Sequence, residues 1–172
     1  YVIANENKPP LVNHSAFGNA WFVGSFKTYE SPDSVMFNLR SQNIRQIALA
    51  EKKDVEDIYG KSYSISGEVA LTNYKANHLT YSFNSVEDAY VVFSEVFYKG
   101  WNAYIDGEIV PHNKVNYVLR GLEVQKGKHI IEFKFEPRVY FQGENISLIA
   151  SIVVLGLFLF GVYKSVKTLT IQ

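Results

Sequence analysis

Two stretches decide the fold: Leu79-Thr80-Tyr81-Ser82-Phe83 and Tyr90-Val91-Val92-Phe93-Ser94-Glu95-Val96-Phe97-Tyr98. In the first, three large apolar residues alternate with two hydroxyl residues, the period-two pattern of a strand with one buried face. The second is apolar at both parities, as expected of a strand inside a sheet that is covered on both sides. Working outward, Asp106-Gly107 stands between Tyr104-Ile105 and Ile109-Val110, a strong signal for a two-residue hairpin. Lys126-Gly127 marks another turn. After it Ile131, Phe133 and Phe135 point one way and Glu132, Lys134 and Glu136 the other, until Pro137 removes a backbone donor and ends the strand. Upstream, Val69 and Leu71 share a face opposite Glu68 and Thr72. Six or seven short strands with regular turns predict a mainly β protein, an antiparallel β-sandwich (jelly-roll-like) over residues 61–138.

Residues 1–60 read as a mixed α/β lead-in region. Tyr1-Val-Ile-Ala4 fits a short strand, and Lys8-Pro-Pro-Leu11 must be extended because each proline restricts the residue before it. Ser31 followed by Pro32 reads as a helix start, with the serine as N-cap and the proline at the first helical position. Val35, Met36 and Leu39 would supply that helix with an apolar stripe. The pattern of Ile44 to Ala50 suits either a helix or a strand, and a strand is the preferred reading.

The chain has 172 residues, with 17 Lys plus Arg against 17 Asp plus Glu. A neutral balance argues against nucleic acid as a partner, which would need a basic face. With 47% hydrophobic and 20% charged residues the chain is not disordered. Absent cysteine excludes disulfides, thiolate metal sites and a cysteine nucleophile. The averages conceal the run Asn145 to Tyr163, which carries no charge at all and is apolar around the whole helical circumference. At about 1.5 Å per residue it approaches a bilayer's hydrocarbon thickness. A transmembrane helix is therefore expected over 144–164, with a tail over 165–172. Lys164 and Lys167 put that tail in the cytoplasm by the positive-inside rule, and everything before Glu144 outside. The chain opens on Tyr1 without a signal-peptide pattern, so a delivering segment is expected upstream.

A search for chemistry finds no catalytic centre, cofactor site or metal site. His14, His78, His112 and His129 lie far apart without ligand spacing. His129 shares parity with Ile131 and reads as a structural, hydrogen-bonded histidine. The acidic pairs Glu56-Asp57 and Glu87-Asp88 sit in polar stretches, and a glycosidase would need two carboxylates facing across a cleft. There is no Gly-x-Ser-x-Gly elbow. Gly60-Lys61-Ser62 ends like a phosphate-binding loop but has Val55 where the motif needs glycine.

Several residues carry a resemblance. Phe97-Tyr-Lys-Gly-Trp101, Ala103-Tyr-Ile-Asp-Gly107, Val110-Pro111, Asn116-Tyr117, Arg120, Gly127-Lys-His129, Glu132-Phe133 and Glu136-Pro137, followed by an apolar run, resemble the C-terminal end of the YfhO-like bacterial membrane proteins. Pro10-Leu-Val-Asn13 and Phe17-Gly-Asn-Ala-Trp-Phe-Val23 resemble the segment ahead of that family's sandwich. The resemblance implies a polytopic protein of the membrane glycosyltransferase class with the C-type fold. Such proteins are thought to move a sugar from a polyprenyl-phosphate carrier to an acceptor outside the membrane. Relatives in Gram-positive bacteria are linked to lipoteichoic acid glycosylation. Catalytic carboxylates of that class lie in an early outer loop, so this chain is expected to be an extracytoplasmic accessory domain, with upstream membrane helices of the same protein as partners.

Aromatic residues make up 15% of the chain. Trp101 and Tyr104 can offer flat faces to sugar rings, while Asn116 and Arg120 can hydrogen-bond to hydroxyls. These four are the candidate glycan-binding residues, with a glycan or a lipid-linked acceptor as ligand. Against this, Trp101 and Tyr104 can simply pack the sandwich edge, and Trp21 reads as core. Arg120-Gly121 suggests a β-bulge, with Glu95 or Glu123 as a partner for the arginine. Two other readings stay open. One is a structural lid docked on membrane helices, and the other is a single-pass membrane-anchored module that binds carbohydrate or another protein.

Overall fold

The structure is a computed structural model that describes residue 13 and residues 15–169, with side chains in the C-terminal helix described at 143 and 146–161. The strand and extended segment expected within residues 1–12 lie outside the described residues, as does His14. Two compact units divide the chain, Tyr1–Phe135 and Glu136–Gln172.

The first unit is mainly β. Its elements are β1 (Ala20–Val23), β2 (Ser25–Tyr29), α1 (Pro32–Asn38), β3 (Ile47–Glu51), β4 (Glu68–Lys75), β5 (His78–Ser85), β6 (Ala89–Val96), β7 (Trp101–Ile105), β8 (Glu108–Val110), β9 (Asn113–Val115), β10 (Leu119–Val124) and β11 (Gly127–Phe135). One antiparallel sheet runs β1-β6-β10-β9 and a second β4-β5-β11-β7-β8, while β2 and β3 form a parallel pair.

The two antiparallel sheets bury one core between them. Leu79, Tyr81 and Phe83 from β5 meet Ala89, Val91 and Phe93 from β6, with Leu122, Val124, Ile131 and Phe133 beside them. At its centre Tyr81, Phe93 and Phe133 pack edge to face, with centroids 4.8 to 6.2 Å apart. Each such fully buried side chain contributes about 1.5–3 kcal/mol. The opposite face of β6, Tyr90 and Val92, is covered by Val23, Ala48, Ala50, Val55 and Ile58. That second layer explains why β6 is apolar at both parities: β1 and β10 flank it and it is buried on both faces.

Local signals locate most elements. Ser31 caps α1 by accepting from Ser34 N, and Pro32 is the first helical residue. Only Val35 of the expected stripe is buried, while Met36 is 56% exposed. The reason is length: seven residues form two turns and touch the parallel pair along one narrow line. Ile47 to Glu51 forms a strand paired in parallel with β2, and a parallel partner requires the crossover that α1 supplies. Asp106 and Gly107 take φ of 52° and 87°, the left-handed pair of a primed hairpin turn.

Connectivity departs from the jelly roll expected, in which successive strands would alternate between sheets. β4–β5, β7–β8 and β9–β10 are each hairpins within one sheet, because turns of two or three residues return the chain to its neighbour. The Lys126-Gly127 turn instead carries the chain from β10 in one sheet to β11 in the other. Gly121 has a packing reason: a Cβ there would stand 2.3 Å from the Tyr90 hydroxyl.

The second unit contains helix α2 (Arg138–Leu169), whose described apolar side chains, among them Ile152, Leu155 and Phe158, are exposed. Among the described residues no helix is long and apolar enough to cross a membrane, so the transmembrane helix expected over 144–164 has no support there.

Candidate functional site

At one end of the sandwich the core stripe runs out and leaves an open groove of about 460 Å³. Its lining converges from both sheets: Glu95 and Val96 end β6, Trp101 begins β7, Arg120 lies on β10 and Phe135 ends β11. Ala76 and Asn77, the two-residue β4–β5 turn, and Tyr98 complete it. The turn is tied to the strand end by Phe135 N donating to Asn77 O at 3.0 Å.

Arg120 is the unusual member. It is only 2% exposed, yet it sits at the parity of Leu122 and Val124, which face the core. Its guanidinium carbon stands 4.2 Å over the Trp101 ring and 5.1 Å over the Phe133 ring, so aromatic π-faces stabilise the charge. Nε donates to Val96 O at 2.9 Å, while buried Nη1 has no hydrogen-bond partner within the protein. Burial pulls the arginine's pKa down, and nearby Glu95 opposes that shift. The expected bulge falls one step earlier than Arg120-Gly121. Register slips between Leu119 and Arg120, and the extra residues are Ser94 and Glu95 on β6. Neither carboxylate weighed as a partner pairs with Arg120. Glu123 instead receives Lys61 at 2.8 Å and the Tyr63 hydroxyl at 3.0 Å, and among the described residues no ion pair joins Glu95 to Arg120.

The four expected glycan-binding residues separate into three places. Trp101 and Arg120 meet in the groove. Tyr104 lies on the other face of β7, where Lys134 Nζ stands 4.7 Å over its ring. Asn116 is only 4% exposed and works internally: its N–H donates to Leu49 O at 2.6 Å and its Oδ1 accepts from Leu49 N at 2.9 Å. That two-way clamp, one bond from the main chain and one to the side chain, fastens the β9–β10 turn to β3 away from the groove, with Nδ2 buried and unpartnered. Tyr98, 62% exposed, is the most open aromatic surface of the groove. Asn77 and Phe135 had no local signal that could have singled them out, since only strand pairing brings them to the rim.

A larger cleft of about 740 Å³ lies toward the other end of β11 and is lined by Asp88, Asp106, Glu108, Glu123, Lys61 and His129. Its polar groups largely satisfy one another. His129 Nδ1 donates to Asp106 Oδ2 at 2.6 Å, Ile130 N to Asp106 Oδ1 at 2.8 Å, and Lys126 N to Asp88 Oδ1 at 2.9 Å. The bonds from His129 and Ile130 hold the Asp106 carboxyl below its usual range. The cleft is therefore a tethering point for the β7–β8 hairpin, and His129 acts structurally in it.

His78 bonds Glu132 at 2.7 Å, and His112 is enclosed by Phe97 and Phe133, where burial pushes its pKa down to about 4. Among the described residues no group of three or more His, Asp or Glu side chains could hold a metal ion. Trp21 packs on Phe17 and donates its indole N–H to Ile44 O at 3.0 Å, a core role.

Comparison with known proteins adds an independent line. The family described as bacterial membrane protein YfhO matches residues 39–147. A curated relative, the uncharacterized protein YfhO of Bacillus subtilis (strain 168), is 28% identical over 133 residues, which are 77% of this chain and 14% of that protein. The chain thus spans about a seventh of that relative's length. No solved structure matches.

Proposed function

This chain belongs to the YfhO family of bacterial membrane proteins, and on that premise we propose that it is an extracytoplasmic accessory domain of a polytopic glycosyltransferase-like protein, handling glycan or acceptor at the sandwich rim. Membrane association follows from the family itself. In this reading the sandwich lies outside the cytoplasm and the C-terminus, with Lys164 and Lys167, inside it. The relative's far greater length supports a chain that is one part of a larger machine. Chemistry would reside elsewhere in that machine, in a transferase that takes its sugar from a polyprenyl-phosphate carrier.

One observation carries the glycan reading. Arg120, its guanidinium fixed by Val96 O and its unpartnered Nη1 buried, stands beside Trp101 beneath an open groove whose rim presents the exposed ring of Tyr98. Sugar rings have an apolar face that packs on aromatics and hydroxyls that accept from fixed donors, so both ligand needs are present within one groove.

Recovering the native protein from membranes with an antibody to this domain tests the setting. A protein several times heavier, with many hydrophobic spans, supports it, and one scarcely heavier than this chain sinks it. In the native protein Tyr98→Ala should lower glycan transfer with folding retained. Undiminished transfer would remove the groove from the reading.

A further inference from the structure

The groove holds two opposite charges that do not pair with each other. Arg120 is clamped: Val96 O holds Nε, and the Trp101 and Phe133 rings lie 4.2 and 5.1 Å from the guanidinium carbon, so its position is set before any ligand arrives. Glu95 lies in the β6 bulge and lines the same groove, close enough to influence Arg120 electrostatically but outside ion-pair distance. A buried guanidinium nitrogen without a partner costs about 1–3 kcal/mol, and a direct salt bridge to Glu95 would have offset that cost. The bulge leaves the two apart, with the aromatic rings of Trp101, Phe135 and Tyr98 around them.

Resting on the glycan reading, we propose that this groove selects an uncharged saccharide ring, with one hydroxyl accepting from Arg120 and another donating to Glu95 while the ring packs on Tyr98. An anionic sugar would gain from Arg120 but meet the Glu95 carboxylate at short range, where like charges are costly. A hydroxyl can donate and accept at once, so a neutral ring bridges the two charges without leaving either uncompensated. The arrangement is a selection device, with Glu95 as the repulsive element against phosphorylated or carboxylated sugars.

The test is calorimetric titration of the full chain in detergent micelles with cellobiose, glucose 6-phosphate and glucuronic acid. Cellobiose should bind, and each anionic sugar should bind about ten-fold more weakly, the effect of roughly one unfavourable charge contact. Glu95→Gln should shrink that gap to about three-fold or less by removing the repulsion while keeping an acceptor. Glu95→Ala serves as a second variant should the first fail to fold, and should shrink the gap in the same way. If cellobiose binds but the anionic sugars bind as well or better, or if both variants leave the ratio unchanged, charge selection is overturned while the glycan reading stands. If none of the three sugars binds, the glycan reading itself falls, and the selection falls with it.

Discussion

The hydroxyl of Tyr90 lies against the backbone of Gly121, so close that a Cβ on that glycine would stand 2.3 Å from the oxygen and 2.5 Å from the ring. Tyr90 is fully buried and its hydroxyl donates to Asn113 Oδ1 at 3.1 Å, so it has nowhere to retreat. Gly121→Ala should therefore destabilise the first unit by about 1–3 kcal/mol or more, as overpacked cores do. Urea unfolding of the chain checks this, and the double variant with Tyr90→Leu should cost less than the two single changes added together. Additive costs would show that the two residues do not share the space.

Asn116→Ala should loosen β3 from the β9–β10 turn by removing the side-chain half of the clamp. The change leaves Leu49 N without its acceptor and places alanine at φ 48°, a left-handed conformation that asparagine tolerates better. The combined cost should be about 2–4 kcal/mol. Hydrogen exchange at the Leu49 amide should rise selectively, while amides between β5 and β11 change less. Uniform loss of protection would mean that the clamp is not local.

Glu51 should make part of the stability depend on acid. Its carboxylate is nearly buried, receives Lys114 at 2.6 Å and Lys53 at 2.8 Å, and is held below the usual carboxylate range by those bonds. A lowered folded-state pKa contributes stability that is present above the unfolded value of 4.5 and is lost as pH falls through the lowered value. Glu51→Gln should reduce stability at pH 7 and flatten that low-pH slope. An unchanged slope in the variant would assign the acid sensitivity to other groups.

His112 should act in a separate window. Burial between Phe97 and Phe133 lowers its pKa from 6.5 to about 4, with a smaller push from Arg120. Below 6.5 the unfolded chain takes up a proton that the folded chain refuses. Stability should thus fall by up to roughly 3 kcal/mol between pH 6.5 and 4, then level as the folded state also protonates. Histidine resonances followed by NMR should place one titration near 4. All described histidines titrating above 6 would refute the burial argument.

Strand parity was legible in β5, β6 and β11 because a half-buried strand must alternate and a doubly covered one must not. The cap of α1 and the Asp106-Gly107 turn were legible for the same kind of reason: each needs a residue type within three positions of itself. Of the rim groove, Trp101 and Arg120 could be singled out as an aromatic and a cation. That Glu95, Asn77 and Phe135 join them depends on where strands of both sheets happen to end. The sequence likewise left open whether the first sixty residues form a lobe of their own. In the fold β1 joins the four-stranded sheet, while β2, α1 and β3 lie in a layer on its outer face.

What the sequence determined by itself was local: which residues are strand, which face of each strand is apolar, and where the tightest turns fall. Only tertiary structure decided that Lys126-Gly127 crosses between sheets, that Gly121 makes way for Tyr90, that Asn116 bonds Leu49, and that a charged Arg120 lies buried against Trp101 and Phe133. The physical reason is range. Periodicity and turn chemistry act over a few bonds, whereas pairing, close approach and the burial of a charge are settled by residues far apart in the chain, and those contacts exist only once the sheets have packed.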